Sequence, residues 1–283
     1  MFIYLDGQIV SREEARISPF DHGFMYGLGA FETFRTYDGF PFLIDEHISR
    51  LHEALEELNI SIKISTADVT EMVTMLLNKN KLKDAYFRLN VSAGAGDIGL
   101  QTDPYEEPTV ILFTKPLALS SKPSEKELVK LKTVRNTPEG EKRIKSHHYL
   151  NSILGKRELT NPLTQEGFFL TKEGYISEGT VSNLFWVNEG ELFTPCVSTG
   201  ILEGITRKWM LHTSELLNIP VKTGNYTINE LKRSEEVFLT NSIQELVPVR
   251  RFEDKEYAGN EGRTLQKFQN LYRLHTKEKR TQI

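Results

Sequence analysis

The chain begins with apolar runs that are interrupted by pairs of turn residues. An Asp-Gly pair accepts the positive φ angles of a tight hairpin turn, so apolar runs on both sides of such a pair predict paired strands. The predicted strands and turns are Phe2 to Leu5, Asp6-Gly7 and Gln8 to Val10, followed by Ala30 to Arg35, Asp38-Gly39 and Phe40 to Leu43. The N-terminal part of the chain is therefore expected to begin as β structure.

After these strands, the spacing of the apolar residues changes to that of a helix. From Asp45 to Asn59 the apolar residues fall on one face at about 100° per residue, which predicts an amphipathic helix. Further helices are predicted at Ala67 to Leu77, Leu150 to Leu159 and Thr206 to Leu217, and around Leu265 to Tyr272. Further strands are predicted at Ala85 to Val91, Thr109 to Phe113, Leu128 to Val134, Gly167 to Thr171, Val181 to Val187, Glu191 to Thr194 and Glu236 to Thr240.

Strands that cluster with a few helices, rather than alternating strictly with them, favour an α+β chain of two mixed domains. A length of 283 residues allows one large domain or two ordinary ones. The stretch from Lys115-Pro116 to Pro123 interrupts regular structure with small and polar residues. We therefore predict an N-terminal α/β domain over residues 1–115, a linker over 116–124 and a C-terminal α/β domain over 125–283.

Composition narrows the class of protein. Hydrophobic residues make up 39% of the chain and charged residues 26%, which is ordinary for a globular protein and argues against disorder. The formal net charge is -4, and the sequence has no large cluster of basic residues of the kind that binds nucleic acid. The single cysteine, Cys196, excludes an internal disulfide and a multi-thiolate metal site.

The first residues lack the basic region and apolar run of a secretory signal. Nor does the sequence contain a run of about 18 apolar residues, the length that a membrane-spanning helix requires. We therefore expect a cytoplasmic protein that does not bind membranes.

Two segments contain polar side chains of the kinds that take part in catalysis. Arg143 to Tyr149 places Lys145 beside an arginine and two histidines, which can lower the pKa of an amine. Taken alone, this segment is also typical of a charged loop before a helix. No acidic residue lies at helical spacing from the two histidines, so no metal is expected. Gly174 to Phe185 places Glu178 among small hydroxylated residues, where a carboxylate is either exposed at a turn or buried with a partner.

A third segment, Ser198 to Arg207, is a loop with two glycines that leads into a predicted helix. Such loops present backbone amides at the positive end of a helix, which suits a phosphate group. The segment lacks the spacing of a nucleotide-binding P-loop, so a nucleotide is not required.

In this order, the three segments resemble those of the fold-type IV pyridoxal-phosphate family. Its members include branched-chain and D-amino acid aminotransferases and aminodeoxychorismate lyases. Four other segments extend the resemblance over nearly the whole chain: Ser18 to Gly27, Phe31 to Arg35, His47 to Leu51 and Leu239 to Glu245. The resemblance implies a D-amino acid aminotransferase-like fold that binds pyridoxal 5′-phosphate at the interface of its two domains.

The resemblance also implies roles for individual residues. Lys145 is the Schiff-base lysine and general base, and Glu178 pairs with the pyridine nitrogen. The other residues implied at the cofactor are Arg50, Ile205, Thr206 and Ser242 at the phosphate, and Tyr149 at the phenolic oxygen. The substrate candidates are His22, Tyr26, Arg88 and Ile243, for which packing or surface roles are the alternative. A homodimer that acts on a small-molecule substrate is expected.

Within the family, the sequence most resembles the bacterial aminodeoxychorismate lyases, particularly at Asp97 to Thr102. Branched-chain aminotransferases have Gly-Gly-Asn where His147 to Tyr149 follow the lysine, and D-amino acid aminotransferases have an arginine in place of Ala93. We therefore expect conversion of 4-amino-4-deoxychorismate to 4-aminobenzoate and pyruvate, a step of folate biosynthesis. D-amino acid or branched-chain aminotransferase activity is the alternative, because Lys145 can serve either reaction.

Overall fold

A computed structural model describes residues 1–117 and 124–283, and these residues form two compact units. The first unit contains residues 1–117, Ile144–His148 and Thr276–Ile283, and the second contains residues 124–143 and Tyr149–His275. Most of the predicted linker, residues 118–123, lies outside the described residues. Two segments of the predicted C-terminal domain therefore pack with the first unit.

The first unit is built on one six-stranded sheet with the strand order β2-β1-β6-β5-β3-β4. Its elements are β1 Phe2–Leu5, β2 Gln8–Ser11, α1 His22–Tyr26, β3 Gly29–Tyr37, β4 Phe40–Pro41, α2 Ile44–Glu57, α3 Thr66–Asn80, β5 Ala85–Ser92 and β6 Thr109–Pro116. All neighbouring strands are antiparallel. The apolar faces of α2 and α3 share a core with strands β3, β5 and β6, and this core fixes α2 against β3.

The second unit is built on a nine-stranded mixed sheet with the order β12-β11-β10-β13-β14-β7-β8-β9, in which β15 also pairs with β14. Its strands are β7 Lys126–Lys130, β8 Gln165–Leu170, β9 Ile176–Gly179, β10 Asn183–Asn188, β11 Glu191–Pro195, β12 Val221–Gly224, β13 Glu236–Asn241, β14 Glu245–Phe252 and β15 Lys255–Glu256. The helices are α4 Leu150–Arg157, α5 Ile205–Leu216, α6 Ile228–Arg233 and α7 Arg263–Lys277. Helix α5 packs against β13.

The α+β class is confirmed, and the helices with clear apolar periodicity lie close to their predicted positions. One predicted strand is shorter than expected, because β7 ends at Lys130 rather than Val134. Beyond it, the carboxylate of Glu158 accepts hydrogen bonds from the backbone amides of Lys132 and Thr133, at 2.6 and 2.9 Å. The Glu158 side chain thus accepts hydrogen bonds from backbone amides that a longer strand would have used to pair with a neighbouring strand. None of the helices in the described ranges is both long and apolar enough to cross a membrane.

Candidate active site

Lys145 lies in a short segment that pairs with the start of β3 in the first unit. The amide of Phe31 donates to the carbonyl of Lys145 at 2.9 Å, and the amide of His147 donates to the carbonyl of Gly29 at 3.0 Å. Between them, Ala30 and Ser146 form an antiparallel bridge. Because its backbone is tied to a strand on both sides, the segment holds the lysine at a defined place.

The ring of Phe31 contacts two cationic side chains in this unit. The Lys145 ammonium lies 4.5 Å from the ring centroid, and the Arg88 guanidinium carbon lies 3.5 Å from it. Arg88 is further fixed by hydrogen bonds from Nε and Nη2 to Asn90 Oδ1, both at 3.2 Å. Cation–π contacts of this kind stabilise a cation beside an aromatic face. The predicted substrate candidate Arg88 therefore shares an aromatic contact with the predicted catalytic lysine.

His147 contributes a neutral imidazole to the same unit. Burial, reinforced by the charge of Arg88, lowers its pKa from 6.5 to about 4, although Asp21 acts in the opposite direction. Its Nε2 atom is buried and has no hydrogen-bond partner in the described part of the chain. The ring fits there because Gly29 lacks a side chain: a Cβ at that position would lie 2.4 Å from His147 Cε1.

Arg50 lies on α2 and is paired with a buried carboxylate on β3. Its Nε and Nη2 atoms donate to Glu32 Oε1 and Oε2, both at 2.7 Å, and His47 Nδ1 is 2.6 Å from Oε2. Burial acts to raise the pKa of Glu32, but the charge of Arg50 and hydrogen bonds from its partners lower it to about 2. Burial also lowers the pKa of His47. Glu32 is thus ionised, and His47 serves it as a neutral donor.

Glu178 is a buried carboxylate of the second unit. It lies on β9 and is 4% exposed. Its Oε1 atom accepts from Arg135 Nε at 2.9 Å and lies 2.6 Å from Arg135 Nη2, while Oε2 accepts from the Leu202 amide at 3.0 Å. Asn183 Nδ2 is 3.4 Å from Oε2, and Arg143 Nε is 3.9 Å from Oε1. Of the two sequence interpretations of Glu178, the buried carboxylate with a partner is correct.

Sequence reasoning did not name Arg135, and it assigned Arg143 to the surroundings of Lys145. In the structure Arg143 Nε donates to the carbonyl of Gly200 at 2.5 Å. Burial and the charge of Arg135 lower the pKa of Arg143 to about 10, against the effect of Glu178. The only sequence signal for Arg135 is indirect, because a buried carboxylate requires a donor of some kind.

The predicted phosphate ligands of the second unit lie at one helix start and one strand connection. Helix α5 begins at Ile205, followed by Thr206, and the N-cap residue Gly204 offers no side chain to the first-turn amides. Ser242 lies between β13 and β14, where Asn241 Oδ1 accepts from the amides of Ile243 and Gln244 at 3.0 and 2.7 Å.

The remaining candidates have varied surroundings. Both ring nitrogens of His22 have partners, Tyr105 Oη at 2.7 Å and the Asp97 carbonyl at 2.9 Å, which is what a packing role requires. The hydroxyl of Tyr26 accepts from the amide of Gly99 at 2.9 Å. Tyr149 is the N-cap residue of α4. Their contacts with substrate or cofactor stay predictions.

Comparison with known proteins identifies the family. The Amino-transferase class IV profile matches residues 29–252, so the chain belongs to this family. The aminodeoxychorismate lyase of Bacillus subtilis (strain 168) is 43% identical over 277 residues, which are 97% of this chain and 94% of that protein. The Escherichia coli branched-chain amino acid aminotransferase structure has a TM-score of 0.86 at 30% identity and covers 98% of this chain and 95% of its own.

A further solved structure bears on the cofactor. The branched-chain amino acid aminotransferase of T.th., complexed with N-(5′-phosphopyridoxyl)-L-glutamate, has a TM-score of 0.87 at 25% identity. The match covers 99% of this chain and 95% of that chain. Family membership thus implies a pyridoxal-phosphate enzyme, as the sequence analysis expected.

The side chains present fit this cofactor. A phosphate ester requires hydrogen-bond donors and positive electrostatic potential, and the start of α5, which no side chain caps, provides both. The buried hydroxyl of Thr240, on the strand that α5 packs against, has no hydrogen-bond partner among the residues described. A pyridine nitrogen requires a carboxylate acceptor, and Glu178 is a buried carboxylate that the Arg135 guanidinium and the Leu202 amide hold in place.

Proposed function

We propose that this protein is a pyridoxal-phosphate-dependent 4-amino-4-deoxychorismate lyase, which produces 4-aminobenzoate and pyruvate for folate biosynthesis. The observation that carries this proposal is 43% identity to the Bacillus subtilis aminodeoxychorismate lyase over 97% of the chain. The aligned region is long enough to extend over both units.

The proposed cofactor contacts follow from the chemistry of each side chain. Lys145 holds the cofactor covalently through its amine, and Glu178 accepts a hydrogen bond from the ring nitrogen. Ile205 and Thr206 at the start of α5, together with Ser242 and Arg50, hold the phosphate. When bound, pyridoxal phosphate supplies an electron sink for the carbon that bears the substrate amine.

Lys145 performs the proton transfer in the proposed reaction. With substrate bound, the Lys145 amine would act as the general base that removes the proton from the amine-bearing carbon of the substrate. The substrate then releases enolpyruvate, which takes up a proton and becomes pyruvate, and the six-membered ring that remains is aromatic. After 4-aminobenzoate leaves, the Lys145 amine would again be available to hold the cofactor.

We propose that Arg88 of the first unit binds a carboxylate of the substrate. The substrate carries two carboxylates, and Arg88 is a cation fixed by Phe31 and Asn90. An arginine held in one orientation loses little conformational entropy when it binds a carboxylate. His22, Tyr26 and Ile243 are further substrate candidates. We also propose that the protein is a cytoplasmic homodimer. Light scattering after gel filtration would measure the mass of the dimer.

Aminotransferase activity is the second candidate, supported by the likeness to the Escherichia coli branched-chain enzyme at a TM-score of 0.86. Aminotransfer would also require a proton donor beside the bound cofactor, and the same Lys145 amine could serve as that donor. The fold therefore suits both reactions, and only the products distinguish them.

The test is to incubate the purified protein with chorismate, glutamine and the aminating synthase, and to measure 4-aminobenzoate. Parallel reactions supply D-alanine or leucine with 2-oxoglutarate. We expect 4-aminobenzoate to accumulate and amino-group exchange to be slow. Absence of 4-aminobenzoate together with rapid exchange of either amino acid would refute the lyase proposal.

Lys145→Ala tests the proposed base. We expect the rate to fall by about a thousandfold or more, because general acid–base catalysis contributes about 10²–10⁴-fold. Lys172→Ala is the matched control, since Lys172 is an exposed turn residue. Full activity of Lys145→Ala would disprove the assignment of this residue.

A further inference from the structure

Glu32, His47 and Arg50 form a buried hydrogen-bonded cluster, and packing alone does not require such a cluster. Glu32 is 1% exposed and His47 is 1% exposed, whereas the Arg50 side chain is 16% exposed. Replacing a buried ion pair with apolar residues is often neutral or stabilising, so stability is a weak explanation for such a cluster. The part of the cluster that reaches solvent belongs to the arginine.

The cluster fixes one edge of a guanidinium group. Glu32 accepts from Nε and Nη2 of Arg50 in a two-point contact, with both distances at 2.7 Å. A guanidinium group has five N–H donors in a rigid plane, so a two-point contact on one edge also fixes the directions of the others. The Nη1 donors therefore point in a direction that Glu32 determines.

His47 holds the carboxylate that holds the arginine. Its Nδ1 atom is 2.6 Å from Glu32 Oε2, the oxygen that also accepts from Arg50 Nη2. His47 and Arg50 are three residues apart on α2, so they share one face of that helix, and this face lies against β3. Two elements and three side chains thus determine the orientation of one guanidinium.

We infer that Glu32, supported by His47, is a positioning residue that orients Arg50 toward the phosphate group of the cofactor. The inference rests on the proposed function, because it takes Arg50 as a phosphate ligand. Arg50 supplies the positive charge and the donors, while Glu32 supplies the direction. Removing Glu32 should therefore reduce recognition of the phosphate more than recognition of the pyridine ring.

The experiment compares two probes that differ only in the phosphate group. Cofactor-free protein is titrated with pyridoxal phosphate and with pyridoxal, and each Kd is measured by absorbance and by quenching of tryptophan fluorescence. The ratio of the two Kd values measures phosphate recognition, and general damage to the protein cancels in it. The variants are Glu32→Gln, the double variant Glu32→Gln/Arg50→Met and the control Glu56→Gln, an exposed position on the same helix.

We expect Glu32→Gln to reduce the preference for pyridoxal phosphate by about tenfold, the lower end of what supporting partners of ligand residues contribute in metal sites. The double variant should lose more, and Glu56→Gln should match the wild type. An unchanged ratio in Glu32→Gln, or a stronger preference because Arg50 is released from its partner, would overturn the inference. Wild-type protein that binds neither probe would instead contradict the proposed function.

Discussion

At the scale of single residues, each unit has a buried carboxylate that an arginine and a further donor hold in place. Both oxygens of Glu32 accept hydrogen bonds from Arg50, and Oε2 also accepts one from the neutral ring of His47. Glu178 binds Arg135 through one oxygen and the Leu202 amide through the other. An ionised buried carboxylate must have charged or N–H partners, since its desolvation is otherwise too costly. Arg135 is therefore as necessary for the proposed role of Glu178 as the carboxylate itself.

His147 gives the chain a pH-dependent stability that a single substitution can test. Its pKa is lowered from 6.5 to about 4 by burial and by Arg88, so between these values the unfolded chain binds a proton that the folded chain does not. Stability therefore falls as the pH is lowered through this window. In His147→Asn the fall should be smaller by about 1–2 kcal/mol, after allowance for the ring's partial exposure.

The measurement is the free energy of unfolding in urea at several pH values from 7 to 4. His148→Asn is the control, because His148 is exposed. Equal pH dependence of the wild type and His147→Asn would show that His147 is not a neutral buried ring. Glu32 causes a separate loss of stability between its ordinary pKa of 4.5 and about 2, and this loss is common to the wild type and both variants.

The candidate site could be predicted from the sequence only where a motif or a resemblance marks it. Lys145 and Glu178 lie in short distinctive segments, but Arg135 is 43 residues from Glu178, and their contact forms only when the sheet folds. Arg50 lies about 100° from the apolar face of its helix and has the pattern of a solvated residue. Its burial depends on Glu32, whose side chain no local pattern places inward.

At the scale of elements, the loop between β11 and α5 connects the carboxylate with the predicted phosphate site. Leu202 donates to Glu178, and Asn183 Nδ2 donates to the Leu202 carbonyl at 2.8 Å. Gly204 then leads directly into α5. Periodicity located α5 to within a residue of its ends, but not β9, because Ile176 to Gly179 is short and lacks alternation of apolar and polar residues.

Gly204→Ala tests how closely this loop packs. A Cβ at position 204 would lie 2.1 Å from Asn183 Oδ1, and Asn183 is buried and held by its hydrogen bonds. We expect Gly204→Ala to lower the free energy of unfolding by about 1–3 kcal/mol, as overpacking typically does. Binding of pyridoxal phosphate should weaken as well, because the first turn of α5 must shift.

The control for this prediction is the double variant Asn183→Ala/Gly204→Ala. Removing the Asn183 amide removes the atom that the new Cβ would contact, so the alanine at 204 should cost much less in this background. Additive effects of the two substitutions, measured by urea unfolding, would show that the clash is not with Asn183.

At the scale of the whole molecule, the residues predicted to contact the cofactor are distributed over both sheets. The antiparallel sheet of the first unit positions Glu32 and pairs with the segment that carries Lys145, and the mixed sheet of the second unit positions Glu178. The two-domain α+β class followed from the clustering of strands. That residues 144–148 pack with the first unit did not, because a pairing of segments distant in sequence leaves no periodic signal.

Because the proposed cofactor contacts come from separate parts of the chain, binding should stabilise the folded protein as a whole. A ligand at one hundred times its Kd adds about 2.7 kcal/mol to the free energy of unfolding if the unfolded chain does not bind it. For a chain of this size, we expect the Tm of cofactor-free protein to rise by about 5 °C with pyridoxal phosphate. Lys145→Ala should show a smaller rise at the same concentration, because the covalent contact is lost while the phosphate contacts remain. Scanning calorimetry with and without the cofactor measures both shifts, and an unchanged Tm in the wild type would contradict cofactor binding.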